Sequence, residues 1–277
     1  MKLPMPPNLL ARSPVRALAL LFVLAPNAQA NGTVAHWTFE QTKGSVVNTQ
    51  SHNNQNDGWI GYSPDNTDDN EVERNASMVA FNGARNSIIL IDDANHTDFN
   101  PGLNALVISA RFVVDRSVLD EDALGLNQTW NLVQKGRFNN VGGQWKMQIR
   151  KSHNGRLFLQ CLVNDDKPET KSTKVQVVLK PKWINSDHIF EGRCELSRKD
   201  KELRVDLTNT TQGNKTLRKT SEVPAEFGAV APQAGECGTP QAFGGNVAIG
   251  NKPLCEDQEL DTDDAFRGTV FSIKIDV

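Results

Sequence analysis

Acidic residues at alternate positions are the first feature of the sequence that could do chemistry. Residues 259–264 are the nearest match to the spacing Glu-x-Asp-x-x-Glu, in which alternate residues share one face of a strand, but the segment ends in Asp264 and not in Glu. Paired carboxylates on one face serve glycoside hydrolysis, in which one group protonates the leaving group and the other acts as nucleophile or base. The segment lacks flanking apolar residues and lies in a polar stretch between Cys255 and Gly268. We therefore expect no hydrolase centre at these residues.

Other catalytic groups lack the partners that their chemistry requires. A lyase needs a proton-abstracting His or Tyr beside groups that stabilise a carboxylate, but the single tyrosine, Tyr62, lies in a polar insert. His36 and His188 fall in strand patterns, where an ordinary hydrogen bond is the expected role. The sequence contains no Gly-x-Ser-x-Gly elbow and no glycine-rich phosphate loop followed by Lys. We predict a protein that is not an enzyme, and keep a hydrolase or lyase acting on polysaccharide as an alternative.

Acidic loop residues are the candidate ligands for a hard cation such as Ca²⁺, which prefers several oxygen atoms. These residues are Asp65, Asp68, Asp69, Asp257, Asp261, Asp263 and Asp264. The first three resemble the start of an EF-hand loop, but Asn70 stands where that loop needs glycine and Ala76 where it needs glutamate. We reject the EF-hand. Calcium at the rim of a β domain stays an alternative to simple solvation of these acids, and no other cofactor is expected.

Two aromatic residues beside a polar turn are the candidate ligand-binding groups. Trp59 and Tyr62 follow the asparagine-rich turn at 53–58. Exposed rings at such a place are costly unless they stack on a sugar or pack locally, and both alternatives stay open. Asn56 and Asp57 could fix the hydroxyl groups of a sugar stacked there.

The first 30 residues have the three parts of a secretory signal peptide. Lys2, Arg12 and Arg16 make the start positive, residues 17–25 form an apolar run, and residues 28–30 match a small-residue cleavage site. Nine apolar residues are too few for a transmembrane helix, and no later run approaches the roughly 20 that one needs. We expect cleavage after Ala30 and a mature protein that is secreted or periplasmic.

The charge balance argues against a nucleic-acid partner. The chain has 30 basic and 33 acidic residues, and its first 30 residues contain three basic and no acidic ones. The mature chain therefore carries 27 basic against 33 acidic residues, a net charge of −6. Nucleic-acid binders present a basic surface instead. The expected partners are a polysaccharide or other glycan, or a surface protein.

Short apolar or alternating runs recur along the chain and predict about a dozen β-strands. They cover residues 33–40, 78–81, 87–91, 106–114, 130–134, 145–149, 156–163, 174–179, 189–196, 202–207, 246–250 and 269–277. No long helix, internal repeat or proline-rich linker interrupts them. We predict a single all-β domain over residues 31–277, built as a sandwich of two antiparallel sheets. Trp37, Trp130 and Trp145 fall in strand patterns and are expected in its core.

The four cysteines favour two disulfides, because their number is even and the chain is expected to be exported. Four cysteines allow three pairings. Strand alternation points Cys161 inward with Leu159, and Cys194 inward with Leu196. Two inward cysteines on neighbouring strands suit a bridge between Cys161 and Cys194. Cys237 and Cys255 would then form the second bridge.

The order of these segments resembles the laminin-G-like (LamG) module of the concanavalin A-like lectin/glucanase superfamily. The opening strand at 34–40, the turn at 80–84 with the strand that follows it, and the closing strand at 266–273 carry the likeness, which extends over residues 33–277. Cys161 and Cys194 lie where single-domain secreted bacterial LamG proteins have theirs. The resemblance implies a jelly-roll β-sandwich.

Two departures from the LamG pattern limit what the resemblance implies. Many relatives have an acidic residue in the closing strand where this chain has residues 270–272, so a structural calcium site is in doubt. The usual Trp-His pair is spread into Trp183 and His188, which predicts a longer turn at 184–187. Since LamG modules bind carbohydrates or proteins, we expect a secreted, non-catalytic recognition module that binds carbohydrate. A protein-binding or envelope-associated structural domain is the alternative.

We predict that the oxidised protein contains a bond between Cys237 and Cys255 as well as one between Cys161 and Cys194. Each bond closes a loop of the chain and should stabilise the fold by about 3 kcal/mol. Peptide mapping under non-reducing conditions should recover these two linked pairs. Recovery of Cys161 linked to Cys237 or to Cys255 would show that the pairing is wrong.

Overall fold

A computed structural model describes residues 32–39, 46–47, 56–61, 72–75, 77–84, 87–91, 97–120, 128–137, 141–167, 172–233, 245–252 and 264–277. The expected signal peptide, Tyr62, Cys237 and Cys255 lie outside these residues. So do six of the calcium candidates, Asp65, Asp68, Asp69, Asp257, Asp261 and Asp263. No helix in the described part of the chain is long and apolar enough to cross a membrane.

The described residues form sixteen strands and two helices of one turn each. The strands are β1 (Thr33–Trp37), β2 (Val46–Val47), β3 (Gly58–Ile60), β4 (Val72–Asn75), β5 (Met78–Asn82), β6 (Ile89–Ile91), β7 (Leu106–Val114), β8 (Gln128–Gly136), β9 (Gln144–Lys151), β10 (Leu157–Asn164), β11 (Thr173–Leu179), β12 (Phe190–Ser197), β13 (Glu202–Asn209), β14 (Lys215–Glu222), β15 (Val247–Ile249) and β16 (Arg267–Asp276). The helices are α1 (Ser117–Asp120) and α2 (Pro181–Ile184). The prediction of an all-β protein is confirmed.

The strands form two sheets in which neighbouring strands are antiparallel. Sheet 1 has the order β14-β13-β12-β7-β16-β5-β4, and β1 also pairs with β16. Sheet 2 has the order β11-β10-β9-β8-β15-β6-β3-β2. The pairing of β1 with β16 joins the first and last strands of the described chain, with Trp37 opposite Ile273. This is the two-sheet sandwich that the strand pattern predicts.

The core lies between the inner faces of the two sheets. On β7 the alternate residues Leu106, Ile108, Ala110, Phe112 and Val114 are buried in it. Trp37, Trp130 and Trp145 are at most 1% exposed, as predicted. The indole Nε1 of Trp145 donates a hydrogen bond to the carbonyl oxygen of Phe99 over 2.9 Å. The polar edge of this ring is thus satisfied inside the core, which a buried tryptophan requires.

A disulfide joins the two sheets through this core. Cys161 on β10 of sheet 2 is bonded to Cys194 on β12 of sheet 1, with a Cα–Cα distance of 5.7 Å. The predicted pairing and inward orientation are confirmed, but the strands face each other across the sandwich and are not neighbours within one sheet. Gly192 on β12 lies at the same contact: a Cβ there would come within 2.9 Å of Leu159 Cδ2. A side chain at Gly192 would therefore require the side chain of Leu159 to move.

The strand pattern missed four strands, β2, β3, β4 and β14. The largest is β14, in which six of eight residues are exposed and none is fully buried. It forms an edge of sheet 1 and pairs only with β13 among the described strands. An edge strand without a buried face gives no apolar alternation, so sequence periodicity cannot detect it.

The connection between β11 and β12 covers residues 180–189 and contains α2. Trp183 on α2 is buried and donates a hydrogen bond from Nε1 to Gln212 Oε1 over 3.0 Å. His188 is also buried, with Nδ1 2.8 Å from Asn209 Nδ2. Both side chains therefore have structural roles, and the sandwich is intact around them.

We predict that the double variant C161A/C194A loses about 3–4 kcal/mol of unfolding free energy, because the bond closes a 33-residue separation. Urea unfolding of the mature protein and of the variant measures this difference. Both proteins should unfold in one transition, since the terminal strands pair in one sheet. Equal midpoints, or two resolved transitions in the wild type, would contradict this prediction.

Candidate functional site

Trp59 lies on the outer face of sheet 2, away from the core. Its ring is half-buried and packs against a small apolar cluster of Ile88, Leu90 and Ala248. The indole Nε1 is buried and has no hydrogen-bond partner among the described residues. Of the two alternatives for this residue, local packing is what the described neighbours show.

Asn56 and Asp57 precede Trp59 but do not offer an open polar rim. Asn56 is only 2% exposed, and its Nδ2 donates to the carbonyl oxygen of Val34 over 3.2 Å. Its own carbonyl oxygen accepts a hydrogen bond from Trp37 Nε1 over 2.9 Å. Asn56 therefore attaches the start of β3 to β1, and Asp57 is half-buried beside it. The predicted role of Asn56 in holding a sugar has no exposed group to support it.

Asp264 is the calcium candidate that falls within the described residues, and it already has partners. Thr129 Oγ1 donates a hydrogen bond to it over 2.6 Å, and Lys252 Nζ lies 2.9 Å from its other oxygen. Burial acts to raise the pKa of Asp264, but Lys252, Thr129 and Lys146 outweigh it and hold this pKa below its ordinary value. No group of three or more acidic, His or Cys residues placed to hold a metal occurs in the described ranges. Asp264 is balanced by an ammonium group, which is unlike a calcium ligand.

A row of amide side chains crosses the outer face of sheet 2 next to Asp264. Gln148 donates to Gln160 over 2.7 Å, and Gln160 donates to Gln176 over 2.8 Å. Several amide atoms at the β8 end of the row, including both of Asn131, are buried and have no hydrogen-bond partner in the described part of the chain. Burial lowers the pKa of the neighbouring Lys146, with Asp264 opposing that shift. Asn131, Gln148 and Gln160 are at most 3% exposed, so the centre of the row is a buried polar layer.

A groove of about 460 Å³ lies open on the outer face of sheet 1 and is lined by described residues. We call it the sheet 1 groove. One row of its lining crosses six strands and consists of Arg218, Asp206, Arg193, Ser109, Lys274 and His36. The next row consists of Thr216, Thr208, Glu191, Arg111 and Ser272. The groove therefore runs across the strands, and its walls are made of polar and charged groups.

Ion pairs fix most of the charged side chains in and beside the groove. Arg218 makes two hydrogen bonds to the carboxylate of Asp206, of 2.7 and 3.1 Å, which raise the pKa of Arg218. Arg204 bridges Asp206 and Glu195. Arg193 contacts the same Glu195 over 2.9 Å. The carboxylates on β12 and β13 thus hold three arginines in defined positions.

Arg111 is held differently from the other groove arginines. Its guanidinium carbon lies 5.1 Å from the ring centroid of Phe271, a cation–π contact. Among the described residues no carboxylate forms an ion pair with it, although Glu191 is its cross-strand neighbour on β12. Its side chain is exposed. Arg111 therefore carries an available positive charge at the centre of the sheet.

The sequence contains one indication of this groove, the charged residues at alternate positions of β12, which the search for loop residues did not use. Glu191, Arg193 and Glu195 alternate with the inward residues of β12, so they must lie on its outer face. Several strands with charged outer residues cannot be assembled into a groove without knowing which strands are neighbours. That order, β14-β13-β12-β7-β16, involves chain-distant pairs and is given by the structure.

Comparison with solved structures shows a shared β-sandwich fold. No family model and no curated protein matches the chain. The binding domain of Paraclostridial Mosquitocidal Protein 1 is similar with a TM-score of 0.52 and 14% identity, over 89% of this chain and 48% of that one. The botulinum neurotoxin serotype G binding domain is similar with a TM-score of 0.55 and 9% identity, over 88% of this chain and 47% of that one. The botulinum neurotoxin DC binding domain, solved in complex with SialylT, is similar with a TM-score of 0.51 and 9% identity, over 89% of this chain and 48% of that one.

The chain spans about half the length of these solved structures. The DC binding domain has also been solved with rat synaptotagmin II, at a TM-score of 0.52 and 9% identity, over 88% of this chain and 48% of that one. At such low identity the likeness is one of fold. The printed names of these neighbours describe binding domains.

We predict that D264N lowers the free energy of unfolding at neutral pH by about 2 kcal/mol or more, because it leaves Lys252 without its counter-ion in a largely buried place. The folded-state pKa of Asp264 is lowered, so its contribution is complete above the ordinary value of 3.8 and is lost as pH falls through the lowered one. Urea unfolding measures the difference in unfolding free energy between wild type and D264N. This difference should be the same at pH 7 and pH 5 and smaller at pH 3.

The variant T129V is the matched control for D264N, because it removes one hydrogen bond and keeps the ion pair. It should cost less than D264N at pH 7. A gap between wild type and D264N that stays constant or widens toward pH 3 would contradict the assigned pairing.

Proposed function

We propose that the protein is an exported, non-catalytic recognition module of the LamG kind, and that it binds carbohydrate in the sheet 1 groove. The observation that carries the proposal is the groove itself, an open volume of about 460 Å³ lined by side chains from six strands. Small-ligand sites are usually concave and mostly apolar, with a few polar groups in fixed positions, whereas the lining of this groove is mostly polar. The sheet holds these groups in place through its register.

The chemistry of the lining suits hydroxyl-rich ligands. Ser109, Ser272, Thr208 and Thr216 offer hydroxyl groups, each of which can donate and accept a hydrogen bond. Arginine side chains add donors and carboxylates add acceptors along the same face. A sugar ring carries hydroxyl groups around its edge, so it can use both kinds of partner. The described lining contains no aromatic platform, so contacts would be mainly polar.

A protein partner is the alternative, and the described surface gives it less support. Apolar docking would need a contiguous apolar patch. The exposed large apolar residues within the described ranges are Leu103 and Val141. Solved neighbours include complexes with SialylT and with rat synaptotagmin II, so the fold accommodates both kinds of ligand in other proteins. The polar groove favours the carbohydrate.

Export is part of this proposal. The leader of residues 1–30 has the composition of a signal peptide, and the mature protein would then be secreted or periplasmic. The disulfide between Cys161 and Cys194 supports this, since such bonds persist in oxidising compartments. An open, polar groove binds with modest affinity, because water competes for each hydrogen bond. We therefore expect the ligand to be a polymer that several copies bind at once.

The experiment compares three variants of the mature protein on a glycan array and by calorimetric titration with each positive polysaccharide. S109W places a large ring in the centre of the groove without touching the core. T220W adds the same ring on the same face of sheet 1, outside the groove lining. W59A removes the ring on sheet 2. We expect S109W to weaken binding at least tenfold, and T220W and W59A to bind as the wild type does.

Each outcome separates the candidate sites, provided that circular dichroism shows all variants folded. Loss of binding in W59A with binding kept in S109W would move the site to sheet 2 and contradict the proposal. Equal affinity in all four proteins would place the ligand away from both. Binding to no glycan at all would remove the proposed function.

A further inference from the structure

We infer that the sheet 1 groove recognises an acidic sugar, whose carboxylate or sulfate ester is bound by Arg111. This inference rests on the proposed function and specifies the class of its ligand. It starts from the charges that line the groove, four Arg or Lys residues against two carboxylates. The excess is positive, in a protein whose net charge is −3.

Three of the four basic residues already have a carboxylate partner. Arg193 lies 2.9 Å from Glu195, Arg218 lies 2.7 Å from Asp206, and Lys274 lies 3.0 Å from Asp276. A ligand anion at any of these positions would compete with an internal acid and would lie close to it. Like charges at such short range oppose binding. These residues are therefore better suited to hold hydroxyl groups than an anion.

Arg111 is the basic residue of the groove lining without such a partner among the described residues. Its guanidinium lies over the Phe271 ring, 5.1 Å from the centroid. A stacked guanidinium keeps the N–H groups on its edge available, and these form a fork that matches a carboxylate or a sulfate. The ring restricts the long side chain before any ligand arrives, which lowers the entropy cost of binding.

The neighbours of Arg111 provide partners for the rest of a sugar. Ser272 on β16 is its cross-strand partner on one side and Glu191 on β12 on the other. Both line the groove. Ser272 can donate or accept a hydrogen bond, whereas the carboxylate of Glu191 accepts one from a sugar hydroxyl. Glu191 also disfavours a second anionic group one strand away, so a single acidic group per recognised sugar fits best.

The experiment measures binding of the mature protein to three polysaccharides by calorimetric titration at low and moderate salt. Polygalacturonate carries carboxylates, dextran sulfate carries sulfate esters, and unmodified dextran is neutral. Polyglutamate serves as an acidic polymer that has no sugar. The wild type should bind one or both acidic polysaccharides at least tenfold more tightly than dextran, and added salt should weaken that binding.

Matched variants assign the preference to Arg111. R111Q should lose about tenfold in affinity for the acidic polysaccharide and approach the affinity for dextran, and R111K should recover part of the loss. R156Q is the control, because Arg156 also stacks on a phenylalanine, with its guanidinium 5.6 Å from the Phe158 centroid, but lies by sheet 2. R156Q should bind as the wild type does.

The outcomes separate this inference from the proposed function. Unchanged affinity of R111Q for acidic polysaccharides, or equal wild-type affinity for polyglutamate and polygalacturonate, would overturn the acidic-sugar inference. Binding of neutral glycans that S109W abolishes, without any acidic preference, would also overturn it while leaving the proposed function intact. Failure to bind any polysaccharide would overturn both. Binding to polygalacturonate alone or to dextran sulfate alone would support the inference and identify the acidic group.

Discussion

The alternation of side chains along strands that pack face to face is the constraint on which the rest of this structure depends. A strand that packs against the opposite sheet must bury every second residue in the core, so the residues between them are directed outward. On β12 the buried set includes Phe190 and Cys194, and the outward set is Glu191, Arg193 and Glu195. A shift of one residue would place these charges inside the core. The composition of the groove is therefore fixed by the packing of the face opposite to it.

The inter-sheet contact makes this register harder to change. Cys161 and Cys194 join the sheets covalently, and the close approach at Gly192 brings Leu159 against β12. Ion pairs between adjacent strands, such as that of Arg218 with Asp206, match the same register on the outer face. Such exposed pairs contribute little to stability, but they hold side chains in defined positions. Arg111 differs in resting on an aromatic ring and having no described carboxylate partner, so the scaffold leaves its charge available to a ligand.

The sequence alone predicted those parts of the fold in which apolar residues alternate along a strand. The buried tryptophans, the inward cysteines and the long central strands all carry alternation, and the structure confirms them. The edge strand β14 lacks a buried face and could not be recognised. The candidate site could not be predicted from the sequence for a related reason. Arg111, Glu191 and Ser272 are up to 161 positions apart, and only the strand order makes them neighbours. The polar turn before Trp59 indicated a ring that could bind a ligand, whereas in the structure this ring packs on a local apolar cluster.

The measurement that tests the central claim most directly is amide chemical-shift mapping of the isotope-labelled mature protein during titration with a polysaccharide that it binds. If the groove on sheet 1 is the binding site, the largest shifts should lie on neighbouring residues of β7, β12, β13 and β16, including Arg111, Glu191 and Ser272. Residues on the outer face of sheet 2, Trp59 and Gln160 among them, should remain unchanged. Shifts concentrated around Trp59 and Leu90, with none on β7 and β12, would contradict the account.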